Sequence, residues 1–146
     1  MAEIKTEIMT IMTTTTSNLE EPFFEAVLQR LVDLGYVVTG DDAWLIAFST
    51  QKVENEVRNS CNVLSIPDGL FHVAVDIVCG DFLSTKKGMG GLTGFDFGAA
   101  IKQIQEGDTN ITFVDGLSAE QQFDKVMNDL KNSGRSQFVS FRKMKW

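Results

Sequence analysis

Apolar residues along this chain recur mostly at spacings of three and four, the period of a helix with one buried face. Leu19, Phe23, Val27, Leu28, Leu31 and Leu34 predict a first helix opening at Ser17 or Asn18. Asn18 with Glu21 makes a capping-box pair, Pro22 falls in the first turn, and Gly35 is placed to close the C-terminus. A second helix runs from Asp41, which serves as its cap, to about Asn62. Its seam is Ala43, Ile46, Thr50, Val53, Val57 and Cys61, with Trp44 and Phe48 widening the first half. A third begins after Pro67; ten of the fourteen residues from Leu70 to Leu83 are apolar and lie all around the wheel. A fourth begins at the Ser118–Gln121 capping-box pair, carries the stripe Ala119, Phe123, Val126, Met127 and Leu130, and ends near Gly134.

Between the third and fourth helices the pattern changes. Residues 88–98 hold five glycines, which predict an irregular loop anchored by Leu92, Phe95 and Phe97. Ala100–Gln105 and Thr109–Val114 read as two short strands around the turn Glu106-Gly107-Asp108, a small β-hairpin. Residues 1–17, with four consecutive threonines at 13–16, read as an extended N-terminal arm. The expected fold is mainly α: a four-helix bundle with a Gly-rich loop, a small hairpin and extended arms at both ends. The expected divisions are an arm at 1–17, a helical domain at 18–134 with its loop and hairpin at 88–115, and a C-terminal arm at 135–146.

The third helix has no polar face, and a chain of 146 residues has few elements to cover it. A partner subunit is the expected remainder, packed on Leu70, Phe71, Val75, Val78 and Phe82.

Charge adds a second polarity. The net charge is −7, yet residues 135–146 carry +4 from Arg135, Arg142, Lys143 and Lys145, so the rest of the chain carries −11. An acidic body argues against a protein that grips nucleic acid, which needs clustered cations. In the tail, Phe138, Phe141 and Trp146 interleave with those cations. Two readings of it stand: a segment folded back on its own acidic domain, and an arm that docks on another protein through the residue types that dominate interfaces. No apolar run approaches the roughly 20 residues needed to span a bilayer. Residues 1–12 lack the pattern of a signal peptide, so synthesis and use in a cytosol are expected.

Catalytic chemistry finds little support. His72, the only histidine, sits four residues before Asp76, and a polar pair at a packing boundary explains both. Cys61 and Cys79 lie in apolar helical patterns and read as core residues, not as a disulfide or metal pair. Ser84 to Gly91 has lysines before its glycines, the reverse of a phosphate loop. No catalytic residue, cofactor site or metal site is expected.

Five segments in order resemble a known family. They are Leu31-Val-Asp-Leu-Gly-Tyr, then Val53-Glu-Asn-Glu-Val-Arg-Asn-Ser-Cys-Asn, then Ile66 to Leu83, then Phe95 to Phe113, and finally Phe141-Arg-Lys-Met-Lys-Trp. Together they resemble the small head–tail connector (adaptor) proteins of long-tailed phages and prophages of Gram-positive bacteria. The resemblance spans residues 19–146 and omits the Thr-rich start. It implies a non-enzymatic virion protein at the head–tail junction, made in the host bacterial cytoplasm. It implies a homo-oligomeric ring of about a dozen copies, closed by heterologous contacts between neighbours. The ring would dock under a portal protein, with residues 135–146 as the docking arm, and join the head to a stopper or tail-completion protein. DNA would pass through the channel without specific binding, repelled by an acidic wall. The competing readings are another head- or tail-completion protein of the stopper type and a soluble regulatory or binding domain.

Overall fold

In a computed structural model, residues 2–12, 21–107, 116–132 and 134–142 are described. The protein is mainly helical, and its helices form a bundle. The elements are α1 (Ala2–Met12), α2 (Glu21–Asp33), α3 (Ala43–Cys61), α4 (Phe71–Gly88), α5 (Phe97–Gly107), α6 (Ala119–Asn132) and the single turn α7 (Phe138–Phe141). Short 3-10 turns at Gly40–Asp42, Asp68–Leu70 and Arg135–Gln137 lead into α3, α4 and α7.

The local signals that define α2 and α6 act as their residue types require. Gly35 takes φ +86°, the Tyr36 amide donates to Leu31 O at 3.0 Å and the Gly35 amide to Val32 O at 2.9 Å, closing α2 in a Schellman motif. Ser118 and Gln121 cap each other reciprocally: the Ser118 amide donates to Gln121 Oε1 at 3.0 Å and the Gln121 amide to Ser118 Oγ at 3.2 Å.

Helix α4 is the axis of the bundle. Ala74, Val75, Ile77, Val78, Cys79, Phe82 and Leu83 are all buried, covered by α2, α3 and α6 of the same chain. Gly80 permits the closest of these approaches. A Cβ there would meet Met127 O and Lys131 Cγ at 2.9 Å, so α4 and α6 touch almost backbone to backbone. Two ion pairs of opposite direction, Asp42–Lys86 from the turn that leads into α3 and Lys52–Asp81 from α3 itself, tie this segment to α4.

Three expectations need correction. Ala100–Gln105 is not a strand: it lies inside α5, where Ala100, Ile101 and Ile104 are buried at helical spacing. Asp96 Oδ1 accepts from the Ala99 amide at 3.0 Å and caps this helix, while Gln103 Nε2 donates to Val32 O at 2.7 Å, covering the open end of α2. Among the described residues there is no strand, and the expected second strand, Thr109–Val114, lies outside them. Nor are residues 2–12 extended, since Ile4 and Ile8 give α1 an apolar side that packs on α2 and α3. Lys5 fixes that docking by pairing with Glu21 and, at 2.8 Å, with Glu25. The third correction concerns Trp44 and Phe48, which leave the core seam and face solvent.

Candidate functional site

The outer face of α3 begins with two aromatic residues. Trp44 and Phe48, one turn apart, stack with ring centroids 5.8 Å apart and an interplanar angle of 22°. They remain 64% and 48% exposed while Ala43, Ile46, Ala47 and Thr50 behind them are buried. The sequence contains this signal: Trp44, Phe48, Lys52, Asn55 and Asn59 step by four, four, three and four, so the two rings share the polar face.

Beside Trp44 is an open groove of about 420 Å³. Thr6, Thr10 and Ile11 of α1 form one wall, and Gly40, Ala43 and Trp44 form the other. The exposed carboxylates of Glu7 and Asp41 border it, giving an aromatic and acidic concavity.

A buried node fixes the second wall. Asp42, fully buried, accepts from Tyr36 Oη at 2.8 Å, the Thr39 amide at 3.0 Å and Lys86 Nζ at 2.7 Å. Burial by itself raises the Asp42 carboxyl. The hydrogen bonds from Lys86, Thr39 and Tyr36 outweigh that effect and hold it below the usual carboxylate range. The Tyr36 phenol is pushed well above its ordinary value, first by burial and then by the adjacent carboxylate. Asp42, and not Asp41, is thus the residue that reaches back to organise the start of α3. Asp41 is left at the groove rim.

The inter-subunit set inferred from the third helix requires correction. Leu70, Val75, Val78 and Phe82 are buried within this one chain and leave no surface for a neighbour. Phe71 is half-buried, with its ring against Phe23 at 5.6 Å. Three helices suffice to cover α4 because Gly80 lets α6 approach so closely.

The C-terminal segment is divided. Arg135 pairs with Glu56: its Nη2 donates to Oε2 at 2.9 Å, and its Nε lies 2.8 Å from Oε1 without hydrogen-bond geometry. Phe138 is buried, and its carbonyl accepts from Cys61 Sγ at 3.4 Å. The Phe141 ring lies over Gly69, where any Cβ would be 2.3 Å from the ring, and Arg142 Nε donates to Ser60 O at 2.9 Å. Residues 135–142 are therefore folded onto α3 and the start of α4. Lys143, Lys145 and Trp146 of the expected arm lie outside the described residues.

The remaining candidates for chemistry have other employment. Asp76 pairs with Arg30 at 3.0 Å, and exposed His72 sets its ring edge-on to Phe71 at 5.2 Å. Lys87 holds Asp124 at 2.7 Å and Glu120 at 3.0 Å, with its ammonium 5.7 Å from the Phe97 ring. Cys61 and Cys79 are buried free thiols, both pushed up chiefly by burial. Among the described residues no three His, Cys, Asp or Glu side chains group as metal ligands, and no helix is long and apolar enough to cross a membrane.

No family model matches this chain, and neither the curated proteins nor the solved structures include a significant match to it.

Proposed function

We propose that this chain is a non-enzymatic structural virion subunit, one wedge of an adaptor ring that docks beneath a phage portal. The ring joins the DNA-filled head to a stopper or tail and forms part of the DNA channel. The five ordered sequence blocks carry this reading. Its structural support is the stacked Trp44–Phe48 pair, large apolar area left exposed outside the buried core. Exposed aromatic clusters of this kind are a signature of contact surfaces. The predominance of helix favours the adaptor over a strand-rich stopper.

The partition of the tail changes how the reading is tested. Deleting residues 135–146 would remove Phe138 from the core, so loss of partner binding would report damage to the fold. Removing only residues 143–146 spares Arg135, Phe138, Phe141 and Arg142, the tail residues packed on the body. Co-expression of the full chain with a portal protein encoded in the same genome, followed by co-purification, is the direct test. Recovery of a stable portal complex supports the proposal, and separation of the two proteins at low salt contradicts it.

A further inference from the structure

We propose that residues 135–142 form a latch that swings off α3 as one unit while the helical body stays folded, uncovering the thiol of Cys61. The latch consists of the 3-10 turn Arg135–Gln137, the single turn α7 and Arg142. Neither turn is long enough to hold its shape alone, so both depend on their anchors to the body. Those anchors are few. Arg135 donates to Glu56 at 2.9 Å, Phe141 rests half-buried over Gly69, and Arg142 Nε donates to Ser60 O at 2.9 Å. Within the latch only Phe138 is buried, while Ser136, Gln137, Val139 and Ser140 around it are exposed. Gly134 supplies the pivot. A Cβ there would lie 2.4 Å from Val73 Cγ1, so the chain enters the latch pressed against α4.

The two free thiols mark where the body ends and the latch begins. Cys79, in the middle of α4, donates to Val27 O of α2 at 3.6 Å, and α2, α3 and α6 surround its helix. It is reached when the bundle comes apart. Cys61, the last residue of α3, donates instead to Phe138 O at 3.4 Å, so its cover belongs to the latch. A segment held by one buried ring opens at lower free energy than the bundle as a whole. Once open, it presents Phe138, Phe141 and Cys61 together, an aromatic surface that the closed protein hides. The inference rests on the fold alone, and neither ring nor portal enters its test.

Thiol labelling of the full chain with dithiobis(nitrobenzoate) distinguishes the two openings. A Cys thiolate attacks the disulfide of the reagent, forms a mixed disulfide and releases one coloured thionitrobenzoate. Peptide mass spectrometry assigns each adduct. Cys61 should be labelled roughly tenfold faster than Cys79 or more. Low urea should speed Cys79 steeply and Cys61 only slightly, because the latch exposes little surface on opening. A substitution in the body should separate them further. Gly80→Ala, or the milder Ile104→Val, weakens the closed and latch-open forms equally against the unfolded chain. It should therefore raise the Cys79 rate, by roughly tenfold for Gly80→Ala, and leave the Cys61 rate unchanged. Substitutions at the anchors act on the latch itself. Arg135→Ala removes the Glu56 contact, and Gly69→Ala puts a Cβ 2.3 Å from the Phe141 ring. Each should raise the Cys61 rate roughly fivefold. Circular dichroism of every variant confirms that the helical body is retained. Equal rates for the two thiols, a faster Cys79, or no labelling of either in the folded protein would each overturn the inference. So would a Cys61 rate that rises with Gly80→Ala as far as that of Cys79, or one that neither anchor substitution moves.

Discussion

The hydroxyl of Tyr36 donates to the buried carboxylate of Asp42 at 2.8 Å, joining the loop after α2 to the start of α3. Lys86 reaches the other Asp42 oxygen from α4, so three segments meet at one charge. Removing it leaves a phenol and an ammonium without their acceptor. Asp42→Ala should therefore lower unfolding stability by about 2–4 kcal/mol in a denaturant titration. The groove wall should loosen with it, visible as faster amide exchange over residues 39–44.

The same carboxylate sets an acid response. Its pKa in the folded protein lies below the unfolded value, so its contribution is complete above roughly pH 4 and is lost as pH falls further. Asp42→Asn should flatten the part of the stability–pH curve that falls below about pH 4, while leaving a lower plateau above it. Parallel slopes for the two proteins in acid would assign the acid response elsewhere.

Close approach of α4 and α6 makes Gly80 sensitive to one added methyl. Its Cβ would meet a backbone carbonyl at 2.9 Å, which cannot rotate aside. Gly80→Ala should cost about 1–3 kcal/mol, with a corresponding fall in Tm, despite the better helix propensity of alanine. At Gly88, where an added methyl would have nothing within 4 Å, the same change should be neutral or slightly stabilising.

These sites also show what is legible in the sequence. Periodicity locates α2, α3, α4 and α6, and local chemistry explains Gly35 and the Ser118–Gln121 cap. The segment 100–105 misleads because Ile101 and Ile104 suit a strand, whereas the Asp96 cap and the Ala100–Ile101–Ile104 spacing belong to a helix. The all-apolar surface of α4 suggests a missing partner because no pattern along one helix reveals how closely α6 can approach Gly80. Residue type groups Trp44 and Phe48 with the core, although their register matches Lys52 and Asn55. The groove is invisible for a related reason: one wall comes from α1, and the pattern of residues 2–12 reads as extended.

Exposure separates the roles of the aromatic residues. Trp44→Ala should change stability by no more than about 0.5 kcal/mol, whereas Phe24→Ala, at 1% exposure, should cost about 3–5 kcal/mol. Association should respond in the opposite order among folded variants, with Trp44→Ala weakening self-assembly or portal binding by tenfold or more, about 1.4 kcal/mol. Thermal unfolding and a binding titration on the same preparations separate the two effects.

The proposed function requires the chain to close into a ring on a portal. Electron microscopy of the full chain co-expressed with that portal tests it most directly. The expected result is a rotationally symmetric ring of helical subunits on one face of the portal, coaxial with its channel. Portal particles that remain bare while folded chain is present in excess would contradict it.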